Sequence, residues 1–233
     1  MSTKLTKPKS LRANGINRPI SVFIVDDHAL IRHGLSQLVS DEPDMEVCGA
    51  AEDADEAMAK LAESQPDVLV VDISLQRGNG LDLIKRVKSH HPHVKILVSS
   101  MHDESLFAER ALHAGALGYV NKREATEKVI DAIRQVLQGE VYLSTTMTGQ
   151  LLHRLTNHHH DSLKHSSIET LSDRELEVFE MIGQGMSSRQ IADALHLSIK
   201  TIVTHREHIK DKLGLKSSAE ITKHAVQWTL ENS

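Results

Sequence analysis

The chain has 233 residues, 39% of them hydrophobic, 25% charged and 3% aromatic, with a formal net charge of −5. That length suits one or two domains, and the apolar share is enough for packed cores, which excludes a wholly disordered chain. Apolar runs such as 68–71 and 96–98 are far too short for a membrane span, 1–18 holds no signal-peptide block, and the single cysteine, Cys48, permits no intramolecular disulfide. A cytoplasmic protein with no membrane partner is expected.

Residues 1–18 carry five Lys/Arg and no acid, lack periodicity, and read as a disordered basic arm. From 19 to 137 the balance reverses to 12 basic against 20 acidic residues. Five short apolar, mostly β-branched runs, at 20–25, 46–50, 68–71, 95–98 and 116–120, alternate there with helix-period segments at about 28–40, 54–64, 80–89, 103–113 and 124–137. Near-continuous apolar strands separated by amphipathic helices predict a parallel sheet covered on both faces, a five-stranded doubly wound α/β domain.

Ligands of such sheets bind where the carboxyl ends of the strands emerge, at the point where strand order reverses. The sequence puts Asp26 and Asp27 after strand one, Asp72 after strand three, Ser99 and Ser100 after strand four, and Lys122 just after strand five. Three carboxylates in one pocket repel unless a cation intervenes, and an all-oxygen set with room for water suits Mg²⁺. The pattern points to metal-assisted phosphoryl transfer. Each residue alone has a plainer reading, Asp27 as a helix cap and Lys122 as a solvated lysine; their joint placement carries the argument.

The stretch Val25-Asp26-Asp27-His28, the run Pro66-Asp67-Val68-Leu69-Val70-Val71-Asp72 with Gly78-Asn79-Gly80, the segment Val98-Ser99-Ser100-Met101-His102, and Gly118-Tyr119-Val120-Asn121-Lys122 together resemble the receiver domain of bacterial two-component response regulators, over about 19–137. The resemblance implies a flavodoxin-like receiver in which Asp72 accepts a phosphoryl group from a sensor histidine kinase. It implies Mg²⁺ held by Asp27, Asp72 and the Ser74 backbone carbonyl, with Asp26 acting partly through water. Lys122 and Ser100 would meet the transferred phosphoryl, and Tyr119 would change rotamer as Ser100 moves. Arg123 stands where many receivers have proline, while Ser74 and His102 occupy positions that influence how water reaches the phosphoryl group. A phosphatase using Asp72 as nucleophile would need a second carboxylate two residues on, and that residue is Ser74; no enzyme activity is expected beyond self-phosphorylation from a phosphodonor and slow loss of the phosphoryl group.

Residues 138–166, with Gly139, a Ser/Thr run at 144–148 and His158 to His160, read as a linker; Met147, Leu151, Leu152 and Leu155 recur at the spacing of one short helix. The His tract lacks the flanking ligands of a metal site.

From 167 to 233 the spacing predicts a separate all-α domain of four helices at about 172–185, 187–195, 199–213 and 217–230. Ser172 with Glu175, Ser187 with Gln190 and Ser217 with Glu220 are capping-box pairs, Ser198 is a further cap, and Gly185 and Gly214 mark stops. Five basic residues against two acidic ones over 198–216 concentrate positive charge on one helix and its flanks. A helix, a three-residue turn and a second helix can present the latter to a DNA major groove.

The segments Leu171-Ser172-Asp173-Arg174-Glu175-Leu176, Gly185-Met186-Ser187-Ser188-Arg189-Gln190-Ile191-Ala192 and Leu197-Ser198-Ile199-Lys200-Thr201 resemble the LuxR-type helix-turn-helix. Receiver and helix-turn-helix together resemble the NarL/FixJ response regulators. That implies a homodimer when phosphorylated, binding inverted-repeat half-sites in double-stranded promoter DNA, with RNA polymerase a further candidate partner. Lys200, Thr201, Val203, Thr204, Arg206 and Glu207 then face DNA, with Lys210 nearer the backbone. Val203 and Glu207 are atypical there; plain helix pairing of Glu207 with Lys210 or Lys200 is favoured over cytosine readout. Ile221, Ala225 and Trp228 on the last helix are core residues that the resemblance also assigns to dimer pairing.

Overall fold

The computed structural model describes residues 18–123, 127–156, 168 and 170–232. The basic arm apart from Arg18, and the tract His158 to His160, lie outside the described residues. Elements follow the chain as β1 (Ile20–Val25), α1 (Ala29–Ser40), β2 (Met45–Ala51), α2 (Ala54–Ser64), β3 (Val68–Val71), α3 (Gly80–His90), β4 (Lys95–Ser100), α4 (Glu104–Ala114), β5 (Gly118–Asn121) and α5 (Glu127–Leu137). The five strands form one parallel sheet in the order β2-β1-β3-β4-β5. Strand order therefore reverses between β1 and β3, and the crevice between their carboxyl ends is the site such a topology offers.

The two-residue period of a strand divides the sheet's side chains between two cores. Val22, Ile24, Val68, Val70, Leu97 and Val120 face α1 and α5. Phe23, Val25, Leu69, Val71, Ile96 and Val98 face α2, α3 and α4. All twelve are essentially inaccessible, so the sheet is a rigid platform for the loops at its carboxyl edge.

What was read as linker divides into parts. Residues 141–143 lie along the outer edge of β5: Tyr119 N donates to Tyr142 O (2.9 Å) and Tyr142 N to Leu117 O (2.9 Å). The segment covers a sheet edge that would otherwise present unpaired backbone groups. The expected short helix follows as α6 (Thr145–Thr156), tied down by Glu104 Oε1, which accepts from Ser144 N at 2.8 Å, and by the buried side chain of Met147. Arg18, assigned to the arm, is held by Asp67 (2.8 Å) beside β1.

The C-terminal module comprises α7 (Asp173–Gly183), α8 (Ser188–Ala194), α9 (Ile199–Lys212) and α10 (Ser218–Asn232). Ser172 and Ser187 close capping boxes with Glu175 and Gln190, and Ser198 caps α9 through Thr201 N. At α10 the box is displaced: Ser217 Oγ accepts from Glu220 N (3.3 Å), but the Glu220 carboxylate reaches back to Lys216 N (2.7 Å). Ile221 and Ala225 are fully buried against α7, whereas Trp228 is half-buried and Leu230 is 76% exposed. Among the described residues no helix is long and apolar enough to cross a membrane.

Candidate functional site

At the β1–β3 crevice Asp26, Asp27, His28 and Asp72 each offer a ligand atom, all within 4.8 Å of one another. Asp26 and Asp72 are buried, and between them lies Lys122, its Nζ 2.5 Å from Asp26 Oδ2 and 2.5 Å from Asp72 Oδ2. Burial opposes the ammonium charge, but the carboxylates of Asp72 and Asp26 outweigh it and raise the Lys122 pKa above its ordinary value. Asp26 is further occupied by the His28 N–H (2.9 Å). Asp27 differs: its Oδ1 is buried and accepts no hydrogen bond, since His28 Nδ1, although 2.7 Å away, lacks hydrogen-bond geometry. An orphaned carboxylate oxygen beside a second carboxylate, in an oxygen-rich pocket, fits a hard divalent cation such as Mg²⁺.

The surrounding loops are tightly specified. A Cβ at Gly80 would stand 2.0 Å from the Asp72 carbonyl oxygen, so only glycine lets α3 start this close to the end of β3. Ser74 N lies 3.4 Å from Asp72 Oδ1. Ser100, completely buried at the end of β4, accepts from His102 N at 3.4 Å. Tyr119 is turned inward, its hydroxyl donating to His102 O at 2.9 Å, and burial pushes its phenol well above the ordinary range. The sequence-predicted residues Asp26, Asp27, Asp72, Ser74, Ser100, Tyr119 and Lys122 thus gather in one pocket and its wall.

Sequence reading missed the pocket's cover. Helix α7 of the second module lies over the β3–α3 and β4–α4 loops. Glu177 accepts from Asn79 Nδ2 (2.7 Å), and Glu180 accepts from Asp103 N (2.9 Å) and from His102 Nδ1. His102 Nε2 in turn lies 2.7 Å from Ser74 Oγ. Burial lowers the His102 pKa, but the Glu180 carboxylate more than reverses this and leaves it raised. Burial raises the Glu177 pKa despite the nearby Arg174. At the rim Asp173 pairs with Arg110 (2.9 Å) and Lys85 (3.3 Å), and His196, in the turn between α8 and α9 at φ +52°, stands 3.8 Å from Asp27. The apolar cluster under α2, α3 and α4 continues unbroken into the core of α7 to α10. A glutamate on a helix reads as solvated when its partner lies 77 to 98 residues away, which is why Glu177 and Glu180 carried no sequence signal.

The second candidate surface is α9. Ile202 and Ile209 are buried, while Lys200, Thr204 and Glu207 are exposed and Val203 is 48% exposed. Thr201 is half-buried with its hydroxyl 2.8 Å from Ser198 Oγ, Arg206 is half-buried, and burial lowers its pKa. Glu207 pairs with Lys210, as favoured from the sequence. Val203, Arg206 and Glu207 join Ser187, Ser188 and Thr222 around an open hollow of about 450 Å³ beside the helix.

Comparison with known proteins assigns a family to each of the two parts of the chain. Residues 22–134 match the family described as response regulator receiver domain, and 169–225 match the bacterial regulatory proteins of the luxR family. The chain is 36% identical over 211 residues to the oxygen regulatory protein NreC of Staphylococcus haemolyticus, spanning 89% of this chain and 97% of that one; NreC of Staphylococcus carnosus is 35% identical over 211 residues with the same coverage. Among solved structures, RcsB of Salmonella enterica serovar Typhimurium, bound to promoter rprA in the presence of phosphomimetic BeF3⁻, is 25% identical with a TM-score of 0.59, covering 90% of this chain and 99% of that one. A structure of two RcsB dimers bound to two parallel DNAs has a TM-score of 0.55 at 25% identity, covering 89% and 98%.

Proposed function

The chain belongs to the NarL/FixJ-type response regulators, transcription regulators that join a receiver domain to a LuxR-type DNA-binding domain, and from that premise we propose that Asp72 is its phosphoacceptor and α9 its DNA-reading helix. The observation that carries the reading is Lys122 shared between buried Asp26 and Asp72 beside the orphaned oxygen of Asp27. A carboxylate oxygen of Asp72 attacks the phosphorus of the donor, the kinase phosphohistidine; a P–O bond forms as the P–N bond breaks, and the imidazole leaves with a proton from water. Asp27, Asp72 and the Ser74 carbonyl, with Asp26 through water, would hold Mg²⁺, which would supply neutralising charge to the transfer. Lys122 stays protonated and moves with the charge from the carboxylates toward the phosphoryl oxygens. Ser100 donates to one of those oxygens, and Tyr119, already turned inward, holds the His102 carbonyl of the loop that follows Ser100.

The exposed residues of α9 then meet promoter DNA: Lys200, Thr201, Val203, Thr204 and Arg206 at bases and backbone, with Lys210 on phosphates. RcsB captured on promoter DNA with a phosphomimetic supports the same order of events for this chain. Two copies on inverted half-sites would pair through the helix face that carries Trp228. RNA polymerase and a sensor kinase would complete the partners, and promoter DNA as the ligand supports a cytoplasmic location.

Acetyl phosphate with Mg²⁺ tests the acceptor. The wild-type chain is expected to take up close to one phosphoryl group per chain, released by hydroxylamine as an acyl phosphate is, and Asp72→Asn to take up none. Equal labelling of Asp72→Asn would move the acceptor elsewhere.

A further inference from the structure

We propose that Asp27, His28 and His196 form a second cation site at the mouth of the crevice, one that takes a borderline divalent transition ion of the zinc, nickel or ferrous class and joins the two modules through it. The inference rests on the reading of Asp27 as a cation ligand and gives that carboxylate a second, nitrogen-ligated ion that competes with Mg²⁺.

Lys122 divides the carboxylates of the crevice. Its Nζ is engaged by Asp26 Oδ2 and Asp72 Oδ2, and Asp26 Oδ1 takes the His28 N–H. Asp27 is left aside: its side chain is only 9% exposed, yet its Oδ1 accepts no hydrogen bond. His28 Nδ1 lies 2.7 Å from Asp27 Oδ1 without hydrogen-bond geometry, so no shared proton holds the contact and each atom keeps a lone pair to offer. On the other oxygen, His196 Nε2 stands 3.8 Å from Asp27 Oδ2. Donors bonded to one ion at about 2.0–2.1 Å lie about 2.9 Å apart in an octahedron and about 3.4 Å apart in a tetrahedron, and the two observed spacings bracket those values. Two imidazoles with one carboxylate suit a borderline transition ion, whereas Mg²⁺ takes an all-oxygen shell. Local structure leaves both rings free for this. His28 stands at the N-cap of α1 but makes no side-chain cap bond. His196 is held in the α8–α9 turn at φ +52°, a conformation that histidine adopts more readily than most side chains. Both residues are exposed, which leaves a path of entry and room for water in the remaining coordination positions, and neither ring makes a hydrogen bond among the described residues. His28 belongs to the receiver and His196 to the helical module, so an ion held by both links them.

The test uses the full chain with His158, His159 and His160 replaced by alanine, so that the histidine tract cannot take up the probe. The probe is Co²⁺, followed by its visible absorption, which reports nitrogen ligation; Mg²⁺ binding is followed by calorimetry. This parent chain is expected to bind one Co²⁺, displaced by Mg²⁺ only at an excess on the order of a hundredfold. His28→Ala, and His196→Asn, which tolerates the left-handed turn, are each expected to weaken Co²⁺ binding about tenfold or more and to leave the Mg²⁺ affinity within about twofold. Asp27→Asn is expected to weaken both ions, and His33→Ala, an exposed histidine of α1, to change neither. Absence of Co²⁺ binding by the parent overturns the site, as does unchanged Co²⁺ affinity in either crevice variant. Parallel loss of both ions in His28→Ala also overturns it, because the ring would then only orient Asp27. A parent that binds Co²⁺ through both histidines but takes no Mg²⁺ would support this site and overturn the reading of the crevice as the Mg²⁺ site.

Discussion

Lys122 neutralises two carboxylates that could not otherwise share a buried pocket, so its loss should be felt first as instability. Removing one partner of a buried ion pair typically costs about 3–5 kcal/mol. We expect Lys122→Met to lose on the order of 3 kcal/mol in urea unfolding without Mg²⁺, and to regain part of it in millimolar Mg²⁺, which takes over the neutralisation; a loss indifferent to Mg²⁺ would contradict the electrostatic account. Glu175 gives a second expectation. Burial raises its pKa, but Lys212 (2.6 Å) and the Ser172 backbone outweigh that and depress it. A depressed folded-state pKa contributes stability that is present above the unfolded value of about 4.3 and is lost as pH falls below it through the folded value. Glu175→Gln should therefore flatten the acid limb of the stability curve over that window and leave its shape above about pH 6 unchanged. At this scale the sequence was legible where chemistry restricts residue type, as at Asp26, Asp27, Asp72, Ser100 and Lys122. It was silent at Glu177, Glu180 and His196, whose meaning depends on a surface brought up by another part of the chain.

Elements were the most legible level. Strands matched to within a few residues because a sheet buried on both faces demands continuous apolar runs, and helix starts matched because Ser-x-x-Glu/Gln pairs answer a local need for backbone partners. Two departures share one cause. Residues 141–143 pair with the β5 edge, and the Glu220 carboxylate caps one residue early; in both, the decisive partner is a backbone group whose exposure the pattern of side chains does not reveal. Close approach of elements gives another expectation. A Cβ at Gly183 would come within 2.2 Å of Thr229 Oγ1 and 2.7 Å of Ala225 O, so Gly183→Ala should force α7 from α10. Overpacking of this kind costs about 1–3 kcal/mol, read as a lower melting temperature of the C-terminal module; an unchanged melting profile would contradict the packing described here.

Across the whole molecule, the receiver and the helical module share one apolar cluster and a docking surface built over the loops that flank Asp72, while the face of α9 points outward. On the proposed reading, release from the receiver need not unmask α9 and would instead free the module to pair with a second copy. The modest excess of basic residues on α9 and its flanks limits the phosphates each module can neutralise, so the dependence of DNA affinity on salt should be shallow. A slope of log affinity against log salt equivalent to about ten phosphates would contradict it. The most direct test of a phosphorylation-switched DNA reader is selection of bound duplexes from a random library by the beryllofluoride-loaded protein beside Asp72→Asn. The account predicts enrichment of an inverted repeat by the loaded protein that is absent or much weaker with Asp72→Asn. Equal enrichment by both would mean that DNA binding does not depend on Asp72 and would contradict it.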